Sequence, residues 1–186
     1  REEPNLRIMI KDLVFQLQQT QDSTGYLGPW SLKDRFFGSS EKRKKDGIWD
    51  FWGHYHCLLG LYQWYQSDPE KYSAVLTTIE SALNLIYHEV ITKKHPISLA
   101  GSMEMNMALY HITLLLYEGV GNKKYLELAQ SIEHDFETPL AGDYIRQALQ
   151  GIPFYQTPKP RWESLHAIQG IVEMYYITGD PRYRQA

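Results

Sequence analysis

The helical segments of this chain alternate between two burial patterns, and nothing else in the sequence constrains the fold so tightly. Segments at about 48–66, 102–118 and 162–178 are apolar nearly all round. In the first, Ile48, Phe51, Trp52, Tyr55, Leu58, Leu59 and Tyr62 lie on one side, with Cys57, Leu61 and Trp64 on another. In the second the residues are Met103, Met105, Met107, Leu109, Ile112, Leu114, Leu115 and Leu116, and in the third Leu165, Ile168, Ile171, Val172, Met174 and Tyr175. The segments between them carry a single stripe: Tyr72, Val75, Ile79, Leu83 and Ile86 over about 70–90, and Tyr125, Leu128, Ala129, Ile132 and Phe136 over 123–136. An opening helix, capped by Asn5, repeats the one-sided pattern with Leu6, Met9, Ile10, Leu13 and Leu17. A one-striped helix shows its other faces to water, whereas one apolar all round is enclosed. Strict alternation along the chain therefore predicts two nested layers of antiparallel helices, the inner ones sandwiched. Strand signals are nearly absent.

Connection lengths alternate in step. Inner-to-outer turns are short: Ser67-Asp68-Pro69, Gly119-Val120-Gly121-Asn122 and Thr178-Gly179-Asp180-Pro181, with Asp68, Asn122 and Asp180 placed as N-caps. Outer-to-inner connections are long, at about 20–47, 91–101 and 137–161, the last with a short helix over 143–150. In an up-and-down arrangement every long loop falls on one rim.

The two patterns combine into an internal repeat anchored on Tyr72, Tyr125 and Tyr183, separated by 53 and 58 residues. An aromatic stands eight residues before each anchor (Trp64, Tyr117, Tyr175), and Leu61, Leu114 and Val172 stand eleven before. This period suits a helical hairpin plus one long loop, and the expected fold is an all-α, α/α toroid of the six-hairpin type. Residues 1–186 then form one partial toroid domain, about half a ring, and the piece 181–186 reads as the first turn of a further helix. The expectation is a fragment of a longer protein, with the remainder of the same polypeptide as its first partner.

Composition removes several function classes. The net charge is −3, and the one basic run, Lys42-Arg43-Lys44-Lys45, reads as a solvated loop tip, so no nucleic acid is expected. Cys57 is the only cysteine, which excludes an internal disulfide and a cysteine cluster for metal. No apolar run approaches the ~20 residues of a membrane span. Tyr and Trp, fourteen and five, outweigh six Phe. Flat faces with polar tips suit a cleft for a polar, ring-shaped ligand and equally suit wet-edged helix packing.

In such a ring the cleft forms where long loops meet the N-terminal ends of the inner helices. Those ends read Trp49-Asp50-Phe51-Trp52-Gly53-His54, Ser102-Met103-Glu104 and Arg161-Trp162-Glu163-Ser164-Leu165-His166, each bringing a carboxylate. Asp50 and His54, four apart, share a helix face, as do Glu163 and His166, three apart. Such a constellation grips hydroxyls and offers a carboxylate for acid or base work; helix-end capping accounts for each carboxylate singly. The candidate substrate-binding set is Asp50, His54, Glu104, Trp162 and Glu163, with Trp49 or Trp30 as stacking platforms. His54 and His56 point apart and make a poor metal pair. His88, His95, His111 and His134 read as surface or structural, Cys57 as a core thiol, and Met103, Met105 and Met107 as core filling. The loop Gly25-Tyr26-Leu27-Gly28-Pro29-Trp30 is turn-rich, aromatic and on the same rim.

Several segments resemble the bacterial β-L-arabinofuranosidases, glycoside hydrolase family 127 and relatives. They are Gln21-Asp22-Ser23-Thr24-Gly25-Tyr26-Leu27-Gly28-Pro29, similar to a "Q-x-x-D-G-Y-L-G" loop, and Gly53-His54 opening a helix that ends in Tyr65-Gln66-Ser67-Asp68. The turns Gly121-Asn122-Lys123-Lys124-Tyr125-Leu126 and Thr178-Gly179-Asp180-Pro181-Arg182-Tyr183 resemble a repeated "T-G-D-x-R-Y-L". The resemblance covers most of the chain but only the N-terminal half of such a catalytic barrel. It implies a hydrolase of plant or host arabinosides, an oligosaccharide or polysaccharide as substrate, and His54 as a sugar-contacting histidine. Gly101-Ser102-Met103-Glu104-Met105-Asn106-Met107-Ala108-Leu109 departs from the family's second histidine motif. The zinc-bound cysteine nucleophile and the acid/base glutamate belong to a region this chain lacks. Catalytic residues therefore remain unassigned, no cofactor is expected in this chain, and zinc falls to the missing half; the fragment is not expected to be active alone. The expected location is periplasmic or secreted, with the cytoplasm as the alternative. Two other readings stay open: a polysaccharide lyase or sugar epimerase on the same toroid, and a non-catalytic helical-repeat binding protein.

Overall fold

A computed structural model describes residues 3–38, 49–101 and 103–186. The basic run at 42–45, the predicted helix residue Ile48 and Ser102 lie outside the described residues. Among the described residues every regular element is helical. The principal helices are α1 (Pro4–Thr20), α2 (Asp50–Gln66), α3 (Ser73–Tyr87), α4 (Met103–Asn106), α5 (Leu109–Val120), α6 (Lys123–Phe136), α7 (Tyr144–Leu149), α8 (Leu165–Thr178) and α9 (Pro181–Gln185).

The inner layer is α2, α5 and α8, with α5 packed between the other two. Outside it, α3 backs α2, α6 backs α5 and α9 backs α8, while α1 lies along α3. This is the expected all-α toroid architecture, an arc of about half a ring. Phe51, Leu58, Leu61, Ile112, Leu114 and Leu116 of the inner layer are fully enclosed, as are Ile79, Leu83, Leu128 and Ile132 of the outer. Each such side chain contributes about 1.5–3 kcal/mol.

The short turns work as their chemistry dictates. Gly121 (φ +70°) and Gly179 (φ +66°) end α5 and α8 in the left-handed conformation that a side chain disfavours. One residue later Asn122 accepts from the Lys124 amide at 3.1 Å and Asp180 from the Arg182 amide at 2.8 Å, starting α6 and α9. The repeat anchors lock successive hairpins: the Tyr125 hydroxyl donates to Glu80 of α3 at 3.4 Å, and that of Tyr183 to Glu133 of α6 at 3.0 Å. Tyr72 packs its ring on Trp64, centroids 4.8 Å apart.

Four local expectations change. The α1 helix begins at Pro4, with Glu3 rather than Asn5 at the cap. Its expected stripe is buried only in part: Leu6, Met9 and Leu13 are exposed and Ile10 is half-buried, while Leu17 packs on the core together with Val14, which the stripe did not include, and Gln18 donates to Ala74 O and Thr78 Oγ1 of α3, both at 3.2 Å. The helix has apolar residues on more than one side, and packing along α3 selects between them. The third helix begins at Ser73, because Asp68 first caps a separate turn by accepting from the Lys71 amide at 3.3 Å, and it ends in a π-helical turn over His88–Thr92. The segment predicted at 102–118 is split into α4 and α5, since Ala108, Tyr110 and His111 bond back to Met105, Met107 and Ala108, the tighter i−3 pattern. The segment predicted at 162–178 opens with a 3-10 turn, Trp162–Ser164, before α8.

Candidate functional site

The described parts of all three long connections gather at the rim where α2, α5 and α8 begin. The Phe37 ring of the first lies 5.0 Å from that of His95 in the second. The Ile97 amide of the second donates to Asp135 at the end of α6 at 2.8 Å. From the third, Arg161 reaches Glu104 of α4 at 2.9 Å, with Lys159 at 4.0 Å. Within that connection Tyr144 donates to Lys159 O at 2.8 Å and bonds Ser164 at the foot of α8.

At the start of α2, Asp50 and His54 form a buried bracket. Both oxygens of Asp50 lie within reach of the Tyr26 hydroxyl, at 2.7 and 2.8 Å, and one also accepts the Phe36 amide at 2.8 Å. Burial, then the neighbouring Asp50 carboxylate, raise the Tyr26 hydroxyl far above its ordinary pKa, so it stays a donor. Phe36 is held at φ +44°, a conformation a bulky residue rarely adopts without such an anchor. The expected side-chain bond between Asp50 and His54 is replaced by one to the main chain. His54 Nδ1 donates to the Asp50 carbonyl at 2.8 Å, and its Nε2 accepts the Leu27 amide at 3.2 Å. Those partners require the neutral Nδ1–H form, and burial lowers the pKa in the same sense. His54 is 2% exposed. Its ring nitrogens face protein, and the loop carrying Tyr26 and Leu27 stands between it and solvent.

The other predicted residues divide by exposure. Glu104 is buried and engaged by Arg161 and Lys159. Trp30 is half-buried against the core, its carbonyl accepting from Arg35 Nε at 3.2 Å. Trp49 and Trp162 stand in the open, 56% and 65% exposed, and Glu163 is partly exposed beside Trp162.

Trp162 joins a cluster that the sequence reading did not assemble. The Trp52 ring sits 5.8 Å from that of Trp162, 5.2 Å from His166 and 4.5 Å from His56. Behind them the Tyr55 hydroxyl lies 2.8 Å from His166 Nδ1 and 3.1 Å from His111 Nδ1. His166 thus turns to Tyr55, not to Glu163 as the three-residue spacing suggested. The result is a partly exposed wall of two indoles and two imidazoles, backed by a buried tyrosine and a buried histidine. The signal was present in the repeat: Tyr55 and His166 each stand seventeen residues before their anchors Tyr72 and Tyr183, and His111 fourteen before Tyr125. Burial, and then the neighbouring His166, lower the His111 pKa to about 4, so it is neutral near pH 7. His56 is lowered for the same two reasons.

A model of the β-L-arabinofuranosidase catalytic domain, glycoside hydrolase family 127, matches residues 1–186. The chain belongs to that family. No curated protein and no solved structure matches it. Family 127 membership makes this a glycoside hydrolase chain with a carbohydrate substrate, and it favours hydrolysis over the lyase, epimerase and solenoid readings. The family's zinc does not fit the residues present: among the described residues no three His, Cys, Asp or Glu side chains converge as ligands. Cys57 is half-buried within α2, and burial raises its thiol pKa, the opposite of what a thiolate ligand needs. No described helix is long and apolar enough to cross a membrane.

Proposed function

We propose that this family 127 chain supplies a sugar-binding wall of a hydrolase acting on arabinofuranosides of plant or host glycans. The supporting observation is the exposed Trp162 indole beside Trp52, His56 and His166, at the rim where all three inner helices begin. An indole face stacks on the C–H face of a furanose, while imidazoles and Glu163 meet its hydroxyls. In this reading Trp49, Trp162 and Glu163 touch substrate. Asp50, His54, Glu104 and Trp30 hold the rim loops from behind. These roles are binding and support, and none of these residues is assigned to bond breaking.

Calorimetric titration of the protein with methyl β-L-arabinofuranoside and a panel of neutral oligosaccharides tests this. The wild type binds an arabinofuranoside, and Trp162→Ala weakens binding about tenfold, as loss of one stacked aromatic predicts. Absence of any glycan binding, or equal affinity in Trp162→Ala, removes the assignment.

A further inference from the structure

The Tyr55 hydroxyl has two imidazole partners and one proton. His166 Nδ1 lies at 2.8 Å and His111 Nδ1 at 3.1 Å, the three side chains coming from the three inner helices. A phenol donates once, so it serves one of these nitrogens and accepts from the other. If neither histidine carried a proton on Nδ1, one contact would set two lone pairs against each other in a buried site, which is costly. One histidine must therefore be in the Nδ1–H form and the other in the Nε2–H form. The lengths identify them. O–H donors make shorter bonds than N–H donors, so the 2.8 Å contact is Tyr55 donating to His166 and the 3.1 Å contact is His111 donating to Tyr55.

We propose that His111 and Tyr55 form a one-way hydrogen-bond chain that locks His166 with its proton on Nε2, presenting a fixed donor to a glycan oxygen beside Trp162. The glycan part rests on the function proposed above; the tautomers rest on geometry alone. His166 is the partly exposed member, with Trp52, Trp162 and His56 around it, whereas Tyr55 and His111 are buried. Burial pushes the Tyr55 hydroxyl up to about 12, and His111 is held near 4, so both stay neutral through the middle pH range and the chain keeps its direction. A donor locked this way loses no rotational or tautomeric freedom when a ligand arrives. Tyr55 and His111 are positioning residues, and His166 is the contact.

Nitrogen-15 correlation spectra of the histidine side chains, recorded on the whole protein near pH 7, test the lock without a ligand. The expected result is His111 as the Nδ1–H tautomer and His166 as Nε2–H, with Tyr55→Phe returning His111 to Nε2–H. His111 found as Nε2–H in the wild type overturns the proposal whether or not the variant folds. Titration with methyl β-L-arabinofuranoside tests the contact. His166→Ala weakens binding about tenfold, the worth of one hydrogen bond, while His166→Gln, which keeps a donor near the Nε2 position, stays within about threefold. Equal losses in both variants overturn the donor assignment. A wild type with the stated tautomers that binds no glycan removes the ligand, and the functional reading with it, from the proposal.

Discussion

The Tyr26 hydroxyl lies within hydrogen-bonding distance of both oxygens of Asp50, at 2.7 and 2.8 Å, and this pair ties the first rim loop to the start of α2. The Phe36 amide joins them at 2.8 Å. Asp50→Ala leaves a buried phenol and a buried amide without an acceptor, so unfolding in urea should show a loss of about 3 kcal/mol. Asp50→Asn keeps one acceptor and should lose roughly half as much. A loss below about 1 kcal/mol in Asp50→Ala means the loop is held by its aromatic packing instead.

Gly170 marks a close approach of α8 to α5. A Cβ there would stand 2.4 Å from Cδ1 of Tyr110 and 3.0 Å from the His111 amide nitrogen. Alanine is the better helix former by about 1 kcal/mol, but overpacking a crossing costs about 1–3 kcal/mol. Tyr110 is also pinned, its hydroxyl donating to Glu133 at 2.6 Å, so it cannot retreat. Thermal unfolding of Gly170→Ala should give a lower midpoint than wild type; a raised midpoint shows that the helices separate freely.

Gly25 combines both glycine requirements. Its φ is +95°, and a Cβ would meet the Ser81 carbonyl oxygen at 2.4 Å. Gly25→Ala should destabilise the protein by more than about 2 kcal/mol and release the loop that carries Tyr26. Hydrogen exchange is the sensitive check, because the Leu27 amide bonded to His54 should lose protection first.

Stability should fall as the pH is lowered through the histidine range. Burial holds His111 at about 4 against an ordinary value of 6.5, and it lowers His54 in the same direction. The unfolded chain takes up these protons first, so their contribution is complete above about 6.5. It then declines between about 6.5 and 4, on the order of 3 kcal/mol for His111. Melting temperatures across that window should drop steadily, and His111→Gln should flatten the slope even if it lowers every midpoint. An unchanged slope in that variant contradicts the burial of His111.

The inner and outer layers, the short capped turns and the shared rim of long loops were legible in sequence because each is a local pattern. Apolar spacing reports how many sides of a helix are covered, and Gly-Asn or Gly-Asp-Pro reports a turn. The face of α1 was legible only at Leu17. Its apolar residues fall on several sides, and Val14 and Leu17 were chosen over Leu6, Met9 and Leu13 by packing on α3, which lies dozens of residues away. Asp50 and His54 were visible as neighbours on one helix face, but not that Tyr26, Phe36 and Leu27 would enclose them. Tyr55, His111 and His166 were harder still, since one partner pair is separated by 111 residues. The shared phase of Tyr55 and His166 in the repeat, with His111 three residues off it, was the available clue.

By itself the sequence determined the two-layer helical ring and its polarity, since hydrophobic period and turn chemistry act over a few residues, and its motifs carried the likeness to family 127. Which polar groups meet was decided only by tertiary structure. Burial turned His54 inward, Arg161 and Lys159 claimed Glu104, and one hydroxyl was set between two imidazoles. A buried polar atom must find a partner wherever the packing places one, and that placement depends on how whole helices lie together.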